Sequence, residues 1–298
     1  MTIGIIGNRA KQALWQVTLS LVERLKQGGV NYLVEEKLAH WVNKEAGKKV
    51  VDSKNAAPPD ALPRRSDVLV AIGGDGTILS AARLVGGKGT PILGVNLGKL
   101  GFLAEFAVED MDDWVKVLLT GKYKVEERMV LQAKTKSGRQ RKFYGLNDIV
   151  IDKSSSSRVI DLHTFVNDEH LVTYTADGLI LATPTGSTAY SLATGGPIVV
   201  PESKAITVSP ICPHTLTARP VIVPDSSSIR VVVDKEAKAV HITADGQVGE
   251  TLRPPVEFVI RKASYAIRLV KRLDRGYYDV LRAKLMWGRD VRVDVTSE

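Results

Sequence analysis

The sequence predicts a two-domain protein, an α/β N-terminal domain built on a parallel sheet with helices, followed by a mostly antiparallel β C-terminal domain. Three observations lead there. Strand and helix patterns alternate as far as Gly121, short β-type runs follow one another beyond it, and 298 residues with 44% hydrophobic content suffice for two cores. The boundary is expected near residue 125, giving domains over 1–125 and 126–274. A last helix over about 275–298 is expected to pack back on the first domain.

"IGIIG" is a short apolar strand, and Leu14, Val17, Leu21 and Leu25 then recur at helical spacing until Gly28 and Gly29 stop the helix. "VNYLV" follows as a strand. The proline-rich, polar stretch Ser53 to Ser66 reads as a surface loop. "DVLVAI", a helix from about Ile78 to Val85, the strand "PILGVN" and the helix "MDDWVKVLL", with Asp110 as its cap, complete the alternation.

After Gly121 come "MVLQAKT", "QRKFYGLNDIVID", "RVIDLHTFVN", "LVTYT" and "GLILAT", separated by turn residues such as Ser137-Gly138 and Asn167-Asp168. "AITVSPI", "PVIVP", "SIRVVVD", "AVHITAD" and "FVIRKA" extend the pattern. Ser154 to Ser157 is a flexible loop by composition. In "YYDVLRAKLMWG", Tyr278, Leu281 and Leu285 share a helical face.

The net charge of +8 suits acidic ligands such as nucleotides, but the basic residues are spread along the chain rather than massed in a tail. Arg139, Arg141, Lys142, Lys271 and Arg272 therefore read as solvated faces, and nucleic acid is not an expected partner. Cys212 is the only cysteine, the five histidines show no zinc spacing, and a reducing cytoplasm fits. The N-terminus lacks the pattern of a signal peptide, and no apolar run approaches the roughly 20 residues that span a bilayer, so no membrane partner is expected.

The densest chemistry lies in "VLVAIGGDGTILSAARLV", Val68 to Val85. An apolar strand ends in a glycine turn and leaves as a helix, at the strand end where open α/β sheets bind ligands. Gly73, Gly74 and Gly76 admit positive φ and close approach of an oxyanion, and the N–H groups of a helix beginning near Thr77 favour negative charge. Neither a Walker A loop nor a strand followed by G-x-G-x-x-G occurs. Asp75 sits among these anion-binding groups, where a carboxylate is repelled by phosphate unless it binds a metal or accepts a proton from an attacking hydroxyl. Both remedies point to phosphoryl transfer. The plainer reading makes Asp75 a helix cap beside a tight turn.

A second constellation runs from Thr175 to Pro197, "TADGLILATPTGSTAYSLATGGP". A strand leads into turn residues Pro184 to Ser187, and Thr188 to Ala193 is small enough in side-chain volume to let a ligand reach the backbone. Asp177 is suited to sugar hydroxyls and Tyr190 to a base, a phosphate or a ribose. Taken singly, each reads more plainly as a turn aspartate and a core tyrosine. Asn147-Asp148 reads first as an Asx turn, and Asp245-Gly246-Gln247 as either a hairpin turn or a further polar contact.

These segments together resemble the bacterial-type NAD kinases. "GGDGT", "NLGKLGFL" at Asn96 to Leu103, "LND" at Leu146 to Asp148, the stretch from Asp177 to Pro197, "PICPHTLTARP" from Pro210 and "ADGQ" from Ala244 fit that family in order. "GGDGT" is shared with lipid kinases, whereas "TPTGSTAYS" is much narrower. The resemblance implies a site in the cleft between the domains, with donor phosphates held by the first and NAD by the second. It implies that Asp75 activates the 2′-hydroxyl of the adenosine ribose of NAD, with Gly73, Gly74, Gly76 and Thr77 around the phosphates. Asn147 and Asp148 would hold that ribose, Asp177 would meet the nicotinamide side, and Thr188, Ala189, Tyr190, Ser191, Leu192 and Ala193 would line the adenine pocket. Arg158, Thr175 and Gln247 occupy further dinucleotide-contacting positions. ATP or polyphosphate is implied as donor, Mg²⁺ or another divalent cation as cofactor, and a dimer or tetramer as the assembly.

Three positions depart from the family pattern. Asp148 stands where many relatives carry Glu, Ser80 where many carry a basic residue, and Thr175 where a larger polar or basic residue is common. With Ser80, one direct phosphate contact is either missing or supplied by Lys99 or Arg158. The competing readings are a lipid kinase sharing the glycine turn and a non-catalytic sensor of NADP. No membrane-binding amphipathic segment supports the first, and the intact Asp75 opposes the second.

Overall fold

The computed structural model describes residues 1–98, 101–136 and 140–287. Lys99, the Ser137-Gly138 turn and the helix expected beyond residue 287 lie outside the described residues. The chain divides into two compact units, Met1–Glu126 with the chain from Arg268 onward, and Glu127–Ile267.

In the first unit Val68–Gly73 is buried along its whole length because it lies between two parallel neighbours, Thr2–Gly7 and Ile92–Asn96. Asn31–Glu35 and the short Ala56–Ala57 extend the parallel sheet on one side. On the other side, Leu269 pairs with Ile92. Leu14–Gln27 buries Leu14, Val17, Leu21, Val22 and Leu25 on one face, as its spacing predicts. Glu36–Glu45 is a helix that its sequence does not announce, since only three of its residues are buried. Glu35 caps it by accepting from the Leu38 N–H at 2.8 Å, and Leu38, Ala39 and Val42 are buried.

The stretch 53–66 is not the surface loop its composition predicts. Ala57 and Leu62 are fully buried, Ala57 pairs with Glu35, and Leu62–Arg65 forms a helical turn. Proline is tolerated there because Pro59 and Pro63 occupy first-turn positions, where a missing N–H costs nothing. Asp110 precedes the helix Met111–Thr120 but its side chain makes no capping bond; the carboxylate instead meets the Arg272 guanidinium at 3.4 Å. In the last helix, Tyr277–Leu285, the buried pair is Val280 and Leu281, while Tyr278 is 56% exposed and Leu285 is also exposed. The expected face of Tyr278, Leu281 and Leu285 is thus off by part of a turn.

The second unit is antiparallel. One sheet runs Val221–Pro224, Ala205–Ile211, Gly178–Ala182, Asp148–Asp152, Val240–Ala244 and Val248–Leu252. Elsewhere Glu169–Ala176 pairs with Ile160–Val166, which pairs with Ile229–Val233, and that strand with the first part of Val256–Lys271. Alternate residues such as Ile149, Leu179 and Val208 from one set meet Leu162, Val231 and Phe258 from the other in a shared core. Asn167 and Asp168 form the two-residue hairpin turn that their sequence predicts, both at positive φ. Val248–Leu252, half polar and exposed along the edge, carries no apolar alternation and was not legible.

Candidate active site

The strand Val68–Gly73 delivers the glycine turn directly into the helix Asp75–Val85, which begins two residues earlier than the sequence suggests. Positive φ is not what the turn requires, for none of Gly73, Gly74 and Gly76 has it. Space is the requirement at Gly73, where a Cβ would overlap the Thr77 side chain. Gly74 is the helix N-cap, and its carbonyl accepts from the Thr77 N–H at 2.9 Å.

Asp75 is half-buried and stands one residue past the N-cap Gly74, so the plainer reading of it as the helix cap does not hold. Its Oδ2 accepts the Phe102 N–H at 2.9 Å, and its Oδ1 accepts those of Leu103 and Ala104 at 3.0 and 3.2 Å. The carboxylate therefore fixes the segment after the strand Ile92–Asn96 through charge-assisted bonds. Gly101 is obligatory in this arrangement, because any Cβ there would overlap the carboxylate. On the far side of that segment Glu105, itself buried, pairs with the buried Lys271 ammonium. Ser80, in the place where a basic residue was expected, turns its hydroxyl back to the Gly76 carbonyl at 3.1 Å, and Arg83 lies one turn further on.

The second unit holds a similar device. Asp245 accepts from three consecutive N–H groups, Leu146 at 3.0 Å, Asn147 at 2.7 Å and Asp148 at 3.2 Å. Burial, and then the charge of Asp245, push the Asp148 carboxyl up to about 7. The Tyr190 phenol is raised first by burial and then by Asp152, Cys212, Asp177 and Asp148. Three of the expected residues, Asp148, Asp177 and Tyr190, thus share one electrostatic neighbourhood. Asp177 is paired with the Lys153 ammonium at 2.7 Å.

Thr188 to Ala193 falls on a short 3₁₀ turn, Thr185–Thr188, and a single helical turn, Tyr190–Ala193. Its small residues serve close packing: Ser191 is buried with its Oγ 3.3 Å from that of Ser209, and a Cβ at Gly186 would overlap the Asn147 backbone. Ala189, Tyr190, Leu192 and Ala193 remain at least partly exposed, and Thr188 bonds back to the Thr185 carbonyl at 3.4 Å. Gln247 is exposed in the turn beside Asp245.

Arg158 and Thr175 lie differently. Arg158 lines a cavity of about 440 Å³ with Asp161, His163, Asp234 and Lys238, and Thr175 donates to Asp161 at 2.5 Å. The lining of that cavity includes neither Asn147 nor Tyr190. Thr183 and the N–H groups of Phe102 to Ala104 were not singled out by sequence reasoning, which reads Asp245 as either a hairpin turn or a further polar contact. For Asp245 the signal was present in "ADGQ", as one side of an unresolved choice.

A glycine turn at the end of a buried parallel strand, a carboxylate at its centre, and an antiparallel unit with a small-residue wall define a phosphotransferase of the nucleotide-using type. Family models described as the ATP-NAD kinase N-terminal domain and C-terminal domain match residues 3–123 and 146–272. The chain belongs to the NAD kinase family. It is 47% identical over 229 residues to an NAD kinase of Bacteroides fragilis, covering 76% of this chain and 79% of that one. An NAD kinase of Geobacter sulfurreducens is 42% identical over 274 residues, with 91% and 93% covered. Among solved structures, a yeast NADH kinase complexed with NADH superposes with a TM-score of 0.88 at 27% identity, covering 98% of this chain and 89% of that one. An Archaeoglobus fulgidus NAD kinase in complex with ATP shares the fold, with a TM-score of 0.73 at 23% identity over 95% of this chain and 99% of that one.

Proposed function

We propose that this chain transfers the terminal phosphoryl group of ATP to the 2′-hydroxyl of the adenosine ribose of NAD, giving NADP and ADP, with Asp75 receiving the hydroxyl proton. The observation that carries this reading is the bonding of Asp75. A carboxylate offers about four lone-pair sites, two on each oxygen. Oδ1 accepts two N–H groups and Oδ2 accepts one, so Oδ2 retains the site at which an incoming hydroxyl donates. The three donors fix the direction of that site before substrate arrives, which is where positioning lowers a barrier.

In this reading the ribose oxygen bonds to the γ-phosphorus as the bond from that phosphorus to the bridging β,γ-oxygen breaks, and the proton passes to Asp75 Oδ2. Gly73, Gly74, Gly76 and Thr77 surround the donor phosphates. Asn147 and Asp148 hold the adenosine ribose, Asp177 meets the nicotinamide side, and Thr188 to Ala193 line the adenine. Arg158, Thr175 and Gln247 make further contacts, and Thr175, whose hydroxyl proton goes to Asp161, does so as an acceptor. Among the described residues no three His, Cys, Asp or Glu side chains gather to hold a metal. A divalent cation such as Mg²⁺ would enter with the donor phosphates beside the Asp75 turn and would supply neutralisation of phosphate charge.

We extend the reading to a cytoplasmic homo-oligomer, supported by the lone cysteine and by Leu216, 92% exposed on the segment after Ala205–Ile211. Among the described residues no helix is long and apolar enough to cross a membrane. One assay tests the chemistry: purified chain with Mg²⁺, NAD or NADH as acceptor, and ATP or polyphosphate as donor. Formation of the 2′-phosphorylated dinucleotide from ATP is the expected result, and its absence with every donor would end this reading. Sedimentation velocity at micromolar concentration tests self-association.

A further inference from the structure

We propose that Asp245 is a positioning residue of the acceptor site, its carboxylate holding the turn Leu146–Asp148 so that the side chains of Asn147 and Asp148 are presented to the ribose. This rests on the reading of Asn147 and Asp148 as ribose contacts.

The backbone of that turn is accounted for by two residues. Asp245 takes the N–H groups of Leu146, Asn147 and Asp148, and its own N–H donates to the Asp148 carbonyl at 3.0 Å, closing a reciprocal pair. Thr183 takes the carbonyls: its hydroxyl donates to Leu146 at 2.6 Å and its N–H to Asn147 at 2.8 Å. The turn's conformation is therefore set from the strand ends Val240–Ala244 and Gly178–Ala182, and neither Asn147 nor Asp148 spends its side chain on it. Gly145 belongs to the device, because a Cβ there would meet the Asp148 carbonyl oxygen and lie 3.3 Å from Asp245 Oδ1.

Geometry alone does not require a carboxylate, since an amide oxygen also accepts N–H groups. The charge has a separate effect. Asp245 is the second cause, after burial, that keeps Asp148 protonated toward neutral pH. Among the described residues, the titratable groups around this pair include Tyr190, raised by burial and then by Asp152, Cys212, Asp177 and Asp148, and Tyr265, pushed up to about 12 by burial and then by Tyr144 and Asp245. Neither tyrosine carries charge near pH 7. Asp245 thus holds Asp148 in place and adds to the rise that burial imposes on its carboxyl.

Two variants separate these effects. Asp245→Asn keeps the size, the acceptor oxygen and tolerance of the positive φ at this position, and removes the charge. Asp245→Ala removes the acceptor. Both are assayed with ATP and NAD from pH 5.5 to 8.5, with thermal melting as a check on folding and direct NAD titration alongside. In Asp245→Asn the midpoint of the KM-for-NAD profile, near 7 in the parent from Asp148, should move to lower pH. In Asp245→Ala the KM for NAD should rise about ten- to a hundredfold while the KM for ATP stays within a factor of about three, as expected for loss of a charged hydrogen-bond acceptor at one substrate's site. Equal loss for both substrates with an unmoved pH profile, or no change in either, overturns the proposal. If the parent chain binds NAD but forms no NADP, the kinase reading fails while the NAD titrations of the two variants still decide the positioning role. A parent chain that does not bind NAD overturns both.

Discussion

Asp148 is buried, and its carboxyl is pushed up to about 7 because burial, and then the charge of Asp245, oppose ionisation. The unfolded chain returns it to about 3.9, so the folded state holds the proton more tightly. Its contribution to stability is complete below pH 4 and is lost as the pH rises through 7. The loss amounts to about 4 kcal/mol at most, from three units of difference. Asp148→Asn should abolish this term, so that urea unfolding finds the variant gaining on the parent between pH 5 and pH 8. A constant difference across that range contradicts the assignment. Asp75, in the first unit, accepts three backbone N–H groups. Replacing Asp75 with Asn leaves an oxygen for some of those donors but no base, and turnover is expected to fall about 10²–10⁴-fold. Nothing in "GGDGT" announces the donors, which arrive from residues 27 to 29 positions further along the chain. The carboxylate was legible as chemistry; its anchoring was not.

The segment after the strand Ile92–Asn96 is held from two sides, by Asp75 at Phe102 to Ala104 and by Lys271 at Glu105. Gly101→Ala should therefore impair turnover more than any loss of melting temperature explains, because the added methyl displaces the Asp75 carboxylate itself. Equal turnover in the variant would show that the carboxylate tolerates displacement. Lys271→Met leaves Glu105 buried and unpaired, and a loss of about 3–5 kcal/mol in unfolding free energy is expected. The last helix offers a check on packing: Leu281→Ala should cost about 2–5 kcal/mol and the half-exposed Tyr278→Ala less than about 1. Periodicity found that helix but rotated its buried face, since Tyr278 and Leu285 satisfy the spacing as well as Val280 does. The helix Glu36–Glu45 was missed because only three of its residues are buried, and the stretch 53–66 because proline at a helix start looks in sequence like proline in a loop.

Over the whole molecule, the change from alternating to successive strands marked two kinds of architecture, and the two units have separate cores. That much is legible because a parallel sheet covered by helices and an antiparallel sheet pattern their apolar residues differently. The site was legible only as two sets of residues, one in each unit. Asp245 and Thr183 act through backbone groups of other segments, and such partnerships follow from folding rather than from local composition. The excess of positive charge, +8, should also draw anionic substrates, so the KM values for ATP and NAD are expected to rise with ionic strength. The most direct test of the central claim is the single-turnover rate of NADP formation by the parent chain and Asp75→Asn at saturating ATP and NAD, with the phosphate located by ³¹P NMR. The parent should place the phosphate on the adenosine 2′-oxygen, and the variant should bind both substrates yet transfer about 10²–10⁴-fold more slowly. An undiminished rate in the variant, or a phosphate at another position, would contradict the account.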